Sequence, residues 1–148
     1  MPIKYTDLVE EEKKSGVCPF CPPVQQEKYI ENDNAYLTYA LAPYHPDHLL
    51  VVPKRHMSQL LDATPKELMD IDDIENRGIK ILHNLGYKNI SIVVREGDGT
   101  GKTVDHTHYH IVPDTHIGDL DHKDVDMRPI LSEQEVADLS KRIKSALP

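Results

Sequence analysis

The sequence predicts an α+β fold: an antiparallel sheet with one long helix and a second helix at the C-terminus. Short β-rich runs are separated by turn-forming clusters. Only Thr64 to Gly86 sustains a long helical period, and no βαβ unit repeats. A chain of 148 residues suits a single domain spanning 1–148, long enough to bury about two-thirds of the surface that its unfolded form exposes. The formal charge of -8 argues against nucleic acid as a partner, because a phosphate backbone is gripped by a basic face. A membrane is excluded on the same level, since no run of about 18 apolar residues is present. The mostly charged stretch Met1 to Lys14 is not a cationic, apolar leader, so the expected location is the cytoplasm.

Taken in order, residues 6 to 14 suit a short helix with Thr6 or Asp7 as cap, ended by Ser15-Gly16. Pro22-Pro23, after the cysteines, favour an extended stretch. Lys28 to Ile30 and Ala35 to Tyr39 form a hairpin across Asn32-Asp33-Asn34. A proline-rich loop, Ala42 to Asp47, leads into His48 to Val52, an apolar run stopped by Pro53 and placed as a central strand. Thr64-Pro65-Lys66-Glu67 is a capping box with proline in the first helical position. Leu68, Ile71, Ile74, Gly78, Ile81 or Leu82, and Leu85 then mark the buried face, and Gly86 ends the helix. Asn89 to Arg95 is a further strand, joined by the Gly-rich loop Glu96 to Thr103 to a histidine-bearing strand that should pair with it antiparallel. A polar stretch from Asp114 to Arg128 precedes a last helix that starts at Ser132-Glu133-Gln134-Glu135, with Val136, Leu139 and Ile143 inward.

The chemistry centres on His106-Thr107-His108-Tyr109-His110. On a strand, alternate residues share a face about 6.6 Å apart, so the three imidazoles should stand in a row. Histidine titrates near neutrality, attacks electrophiles and binds metals, so the row suits phosphoryl transfer or metal binding, with a merely polar strand as the bland alternative. Gly101-Lys102-Thr103 imitates the end of a P-loop but lacks its first glycine, which would fall at Glu96, and no helix follows. The glycines can still let backbone amides approach an anion, with Lys102, Thr103 and Arg95 adding charge and a hydroxyl. Cys18 and Cys21 suit a metal clip or a redox pair better than a secreted disulfide framework. The following prolines weigh against a thioredoxin-like dithiol, while zinc needs two more ligands that spacing alone does not identify.

His106 to Val112 resembles the signature of the histidine triad (HIT) superfamily of nucleotide hydrolases and transferases: three alternating histidines followed by apolar residues. His48 to His56 resembles that family's strand after its proline-rich loop, and Glu96 to Val104 its glycine loop. The resemblance covers about residues 18 to 113, leaving 114–148 as tail and helix. It implies a HIT-like fold with a five-stranded antiparallel sheet, pairing as a homodimer, and a nucleotide partner of the purine nucleoside phosphate kind. It implies that His108 attacks the α-phosphate to give a covalent nucleotidyl-histidine, which water or another acceptor resolves. His110 and His48 would support the phosphate or leaving group, and Arg95, Gly101, Lys102 and Thr103 would complete the substrate contacts. In zinc-containing members the metal ligands match Cys18, Cys21, His56 and His106 here, which implies a closed, structural Zn2+.

The chain also departs from the family. Ala40 stands where many members carry Asp or Asn to bind the ribose hydroxyls. Arg95 and Lys102 replace neutral amides, which favours a more anionic substrate, such as a polyphosphate-bearing nucleotide, or tighter phosphate binding with weaker sugar recognition. The leading expectation is an enzyme that cleaves a phosphoramidate or phosphoanhydride through His108. Its rivals are a dinucleoside polyphosphate hydrolase or phosphorylase, an idle nucleotide binder, and a metallohydrolase that uses the three histidines.

Overall fold

A computed structural model describes residues 4–100, 102–116 and 130–145. These fall into two compact units, one up to His116 and the other after it. The first unit holds helix α1 (Tyr5–Ser15), strands β1 (Ile30–Glu31), β2 (Ala35–Tyr39) and β3 (Leu49–Pro53), helix α2 (Pro65–Asn84), and strands β4 (Ile90–Val94) and β5 (Tyr109–Pro113). The strands form one five-stranded sheet in the order β1-β2-β3-β5-β4, antiparallel at every junction. The second unit holds helix α3 (Glu133–Ser145), opened by the expected capping box between Ser132 and Glu135. Its Val136 is exposed rather than inward, and the side chains of residues 139 and 143 lie outside the described set. No helix among the described residues is long and apolar enough to cross a membrane.

Period two divides the sheet into two faces. Leu37, Val51 and Ile111 turn toward α2 and pack with its Ile71, Ile74 and Leu82. Gly78 sits at the crossing, where an added Cβ would lie 2.9 Å from Ile111 Cδ1. A side chain there would push the ends of Ile111 and Leu37 aside. Tyr36, Leu50 and Val52 turn to the opposite face and pack with Phe20. Tyr36 donates its hydroxyl to the Phe20 carbonyl at 2.8 Å, so β2 anchors the loop that carries both cysteines. The even-numbered positions of β3 and β5 thus belong to a face covered by the N-terminal segment.

Several local expectations shift. Helix α1 is capped by Lys4 without a side-chain hydrogen bond, so neither Thr6 nor Asp7 serves. Pro22-Pro23 forms a turn with a cis peptide bond rather than an extended stretch. Leu68 and Leu85 are exposed, because Glu67 and Asp70 take the inward side of the first turns for polar work. Asp70 accepts from Asn34 Nδ2 at 2.7 Å, and its carbonyl accepts from Asn32 Nδ2 at 2.8 Å, pinning the β1–β2 hairpin to the helix. Asn32 Oδ1 closes that turn by accepting from the amides of Asn34 and Ala35.

Glu67 is both the third residue of the capping box and the partner of Arg55, which reaches it through Nε at 3.0 Å and a terminal nitrogen at 2.8 Å. This fork ties the end of β3 to the start of α2. The Arg55 hydrogen bonds, then the Thr64 amide, hold the Glu67 carboxyl down to about 2 against its solvated value of 4.5. A lowered folded value gives stability that is complete above the unfolded value and is lost as pH falls through the folded one. Glu67→Gln should lower the thermal midpoint at pH 7 by roughly 2–6 °C. The gap from the parent should close between about pH 5 and pH 2. A gap that stays constant over that range in thermal denaturation would assign its origin to packing instead of charge.

Candidate functional site

Strand β5 begins at Tyr109, so only His110 of the three alternating histidines lies in the ladder, opposite Leu50 on β3 and Val93 on β4. His106 and His108 precede it, where the Thr107 amide donates to the Met57 carbonyl at 2.7 Å. The evenly spaced row expected of a strand is therefore broken. His108 and His110 keep company, their ring centroids 4.9 Å apart, while His106 turns toward the cysteines.

Each imidazole spends one nitrogen on a fixed partner. The His106 ring meets the Pro53 carbonyl through Nε2 at 2.7 Å, and the His108 ring meets the His106 carbonyl through Nδ1 at 2.8 Å. A carbonyl only accepts, so these nitrogens carry the protons, assigned here from the hydrogen-bond network. His106 Nδ1 and His108 Nε2 are left as lone pairs. His48 Nδ1 accepts from the Tyr44 amide at 3.1 Å, so its proton sits on Nε2, which is 2.9 Å from His110 Nδ1. His48 then donates to His110, and the remaining proton of His110 sits on Nε2.

Burial pushes all of these rings toward the neutral form. His48 is held down to about 4 and His110 to about 3, with positive charge on neighbouring His108 and on Arg95 adding to the effect. His106 is likewise held down to about 4, again mainly by burial. Burial also lowers His108, with Lys102 and Arg95 pushing the same way. The geometry at neutral pH is one lone-pair nitrogen, on His108, beside one N–H donor, on His110.

The rings of His48, His108 and His110 line a cavity of about 260 Å³ on the sheet face opposite α2. His48, His108, His110, Arg95, Lys102 and Thr103 all reach it, as the sequence suggests. Gly101 lies outside the described residues. Arg95 donates to the Tyr44 hydroxyl at 3.3 Å, and Lys102 Nζ to the Ser58 carbonyl at 3.0 Å, so both cations are held at the wall. The same cavity is lined by Phe20, Gln26, Ala40, Tyr44 and, from α1, Tyr5 and Glu12. Of these, sequence reasoning named only Ala40. Tyr44 lies flat on His48, with centroids 5.6 Å apart, and an aromatic inside a proline-rich loop is the signal that could have found it. The loop is fastened further along, where the Tyr87 hydroxyl donates to Asp47 and the His45 ring meets Tyr87 edge-on.

Cys18, Cys21, His56 and His106 converge beside this cavity, and their ligand atoms all lie within 4.8 Å of one another. The sulfur–nitrogen separations are 3.3, 3.5 and 3.6 Å. Zinc–sulfur bonds of about 2.3 Å and zinc–nitrogen bonds of about 2.0–2.1 Å give a tetrahedral edge near 3.5 Å. These three separations match that edge, so the donor set fits a divalent ion of the zinc kind. Without that ion, burial and the Cys18 sulfur push Cys21 up to about 11, so its thiol keeps its proton until a metal displaces it. Asp105 is exposed, as its place in the sequence suggests, yet its Oδ2 is 3.6 Å from His56 Nε2, which orients that ring with Nδ1 toward the sulfurs.

Comparison with known proteins agrees with this architecture. A family model described as the HIT domain matches residues 23–117. An uncharacterized HIT-like protein of Methanocaldococcus jannaschii is 30% identical over 101 residues, covering 66% of this chain and 78% of that one. The asymmetrical bis(5'-nucleosyl)-tetraphosphatase of Schizosaccharomyces pombe is 35% identical over 92 residues, covering 62% of this chain but only 50% of the yeast protein. A crystal structure of a HIT family member from Bacillus subtilis superposes with a TM-score of 0.67, covering 100% of this chain and 99% of its own, at 15% identity.

A metal held by Cys18, Cys21, His56 and His106 predicts its own response to mutation. Cys21→Ser should drop bound zinc well below one equivalent in elemental analysis and lower the thermal midpoint on the order of 10 °C. His108→Ala should keep the full equivalent. Zinc lost with His108 and retained by Cys21→Ser would move the ion to the histidine row.

Proposed function

The chain belongs to the HIT family, and from that premise we propose that it cleaves a nucleotide at its α-phosphate through a covalent nucleotidyl-His108 intermediate. The observation that carries this is the single bare nitrogen in the cavity. His108 Nδ1 is committed to a backbone carbonyl and burial holds the ring neutral, so Nε2 keeps its electron pair for attack. In the first step the Nε2–phosphorus bond forms, and the bond from phosphorus to the leaving oxygen or nitrogen breaks, the leaving atom keeping the electron pair. His110 supplies an N–H to the phosphoryl oxygens or leaving atom, oriented by His48 from behind. In the second step water attacks phosphorus, releases a proton to solvent and returns the electron pair to His108. Thr103 adds a hydroxyl on the phosphate side, and Gly101 belongs to the same proposal through its backbone.

The zinc held by the cysteines, His56 and His106 is structural in this reading. It supplies a fixed anchor for the segment from which His108 projects. Arg95 and Lys102 at the cavity wall favour a leaving group with several phosphates. This supports a phosphoanhydride of the dinucleoside polyphosphate class over a phosphoramidate, in line with the tetraphosphatase that the fission yeast relative is. The purine preference and the homodimer belong to the same proposal. The dimer is supported by β4, which pairs only with β5 among the described strands and exposes Ile92.

His108→Ala should reduce hydrolysis of diadenosine tetraphosphate by at least about 10³-fold. His110→Ala, incubated with the same substrate, should accumulate a nucleotidyl adduct on a peptide containing His108, read by mass spectrometry. Undiminished turnover in His108→Ala would reject the mechanism. Tight nucleotide binding by the parent with neither turnover nor adduct would make the protein a binder.

A further inference from the structure

Helix α1 is strongly charged, and its exposed acids Asp7, Glu10 and Glu11 need no explanation beyond solvation. Glu12 differs. Tyr5, Val9 and Glu12 recur at helical spacing and form the side of α1 that turns inward: Val9 is buried, and Tyr5 and Glu12 are half-buried. The Tyr5 hydroxyl lies 3.3 Å from Thr103 Oγ1, which fastens this side of the helix to the loop before the histidines. Both Tyr5 and Glu12 line the cavity that His108 faces.

Among the described residues the Glu12 carboxylate has neither a hydrogen bond nor an ion pair. It is also the only carboxylate lining that cavity among the described residues, against the cations Arg95 and Lys102. Its negative charge repels the phosphates those cations attract, and as an acceptor that never donates it calls for hydrogen-bond donors. A ligand that satisfies the whole cavity needs an anionic group for the cations and a pair of hydrogen-bond donors for the carboxylate. A ribose carries such donors as a vicinal diol. The adjoining strand end offers no competing group, since Ala40 has none. Gln26, also at the wall, has its amide nitrogen committed to the Tyr39 carbonyl at 2.8 Å, which leaves its oxygen as a second acceptor.

We propose that Glu12, presented by α1, is the residue that recognises the ribose diol of the nucleotide, with Gln26 Oε1 as its neighbouring acceptor. This rests on the nucleotide reading above and adds a specificity determinant to it. The reacting atoms are untouched by Glu12, so its loss falls on affinity rather than on the chemical step.

The experiment is calorimetric titration of the zinc-loaded protein with adenosine 5'-monophosphate and with its 2',3'-dideoxy analogue, without added magnesium. The parent should bind the ribonucleotide about 10- to 100-fold more tightly than the dideoxy analogue, the range for a hydrogen bond to a charged group. Glu12→Gln should shrink the ratio between the two ligands to within about twofold, and the dideoxy analogue, which loses only the repulsion of its phosphate, should not bind more weakly. Glu11→Gln, on the exposed side, should change neither. Equal loss for both ligands would make Glu12 a support for the helix and overturn the assignment. Equal binding of both ligands by the parent would overturn it without any variant, and leave the His108 mechanism standing. A Glu12→Gln penalty that disappears with inosine 5'-monophosphate would transfer the contact to the exocyclic amine of the base. Failure of the parent to bind either ligand would overturn this inference together with the nucleotide reading.

Discussion

A neutral imidazole owns one proton and one lone pair, and this chain decides which nitrogen gets which by committing the other to backbone. The carbonyls of Pro53 and His106 take the protons of His106 and His108, and the Tyr44 amide takes the lone pair of His48. From these contacts the remaining groups follow without further adjustment: a lone-pair nitrogen on His106 facing the cysteines, another on His108 facing the cavity, and a donor chain ending on His110. Burial reinforces the pattern, because a desolvated ring resists the second proton that would erase the distinction. The polarity of the site is set by main-chain groups, which no side-chain substitution removes.

That arrangement depends on the sheet having two different covers. On one face α2 supplies an apolar lid fitted closely enough that a side chain at Gly78 would press on the ends of Ile111 and Leu37. On the other, the cover is the N-terminal segment, a stretch too short and too proline-rich to make a layer of its own. Tyr36 fastens it from below at the Phe20 carbonyl, and the convergence of cysteines and histidines fastens it from the side. The Cys2His2 cluster and the cavity are thus joined by very little chain, His106 being followed after one residue by His108. Helix α1 shares this mounting, since its left-handed cap at Gly16 runs almost directly into Cys18.

Much of this was readable from residue order. The capping box at Thr64, the Asn-rich hairpin and the stop at Gly86 are local signals with local causes, and the strands they bound lie where the apolar runs lie. The antiparallel five-stranded sheet and the Cys2His2 cluster came through resemblance in motif. What escaped the sequence was tertiary. Alternation alone put His106, His108 and His110 on one strand face, but the Thr107 amide is taken by Met57 and the ladder starts only at Tyr109. Helical spacing alone placed Leu68 inward, but Glu67 is claimed by Arg55 and Asp70 by the hairpin, and their demands rotate the first turn. The contribution of Tyr5 and Glu12 to the cavity has no local signature, because nothing near them tells which face of α1 meets the loop at Thr103.

The pairing of β3 with β5 consists of three matched positions, with Leu50 opposite His110 and Leu49 opposite Ile111. A slip of one residue would swing His110 beneath α2, among Leu37 and Leu82, and thrust Ile111 into the cavity. The displaced ring would be stripped of water with nothing to bond, and the cavity would lose its donor at the same stroke. One register error would therefore undo the packing beneath α2 and the hydrogen bonding of the cavity together, because the same few residues serve both.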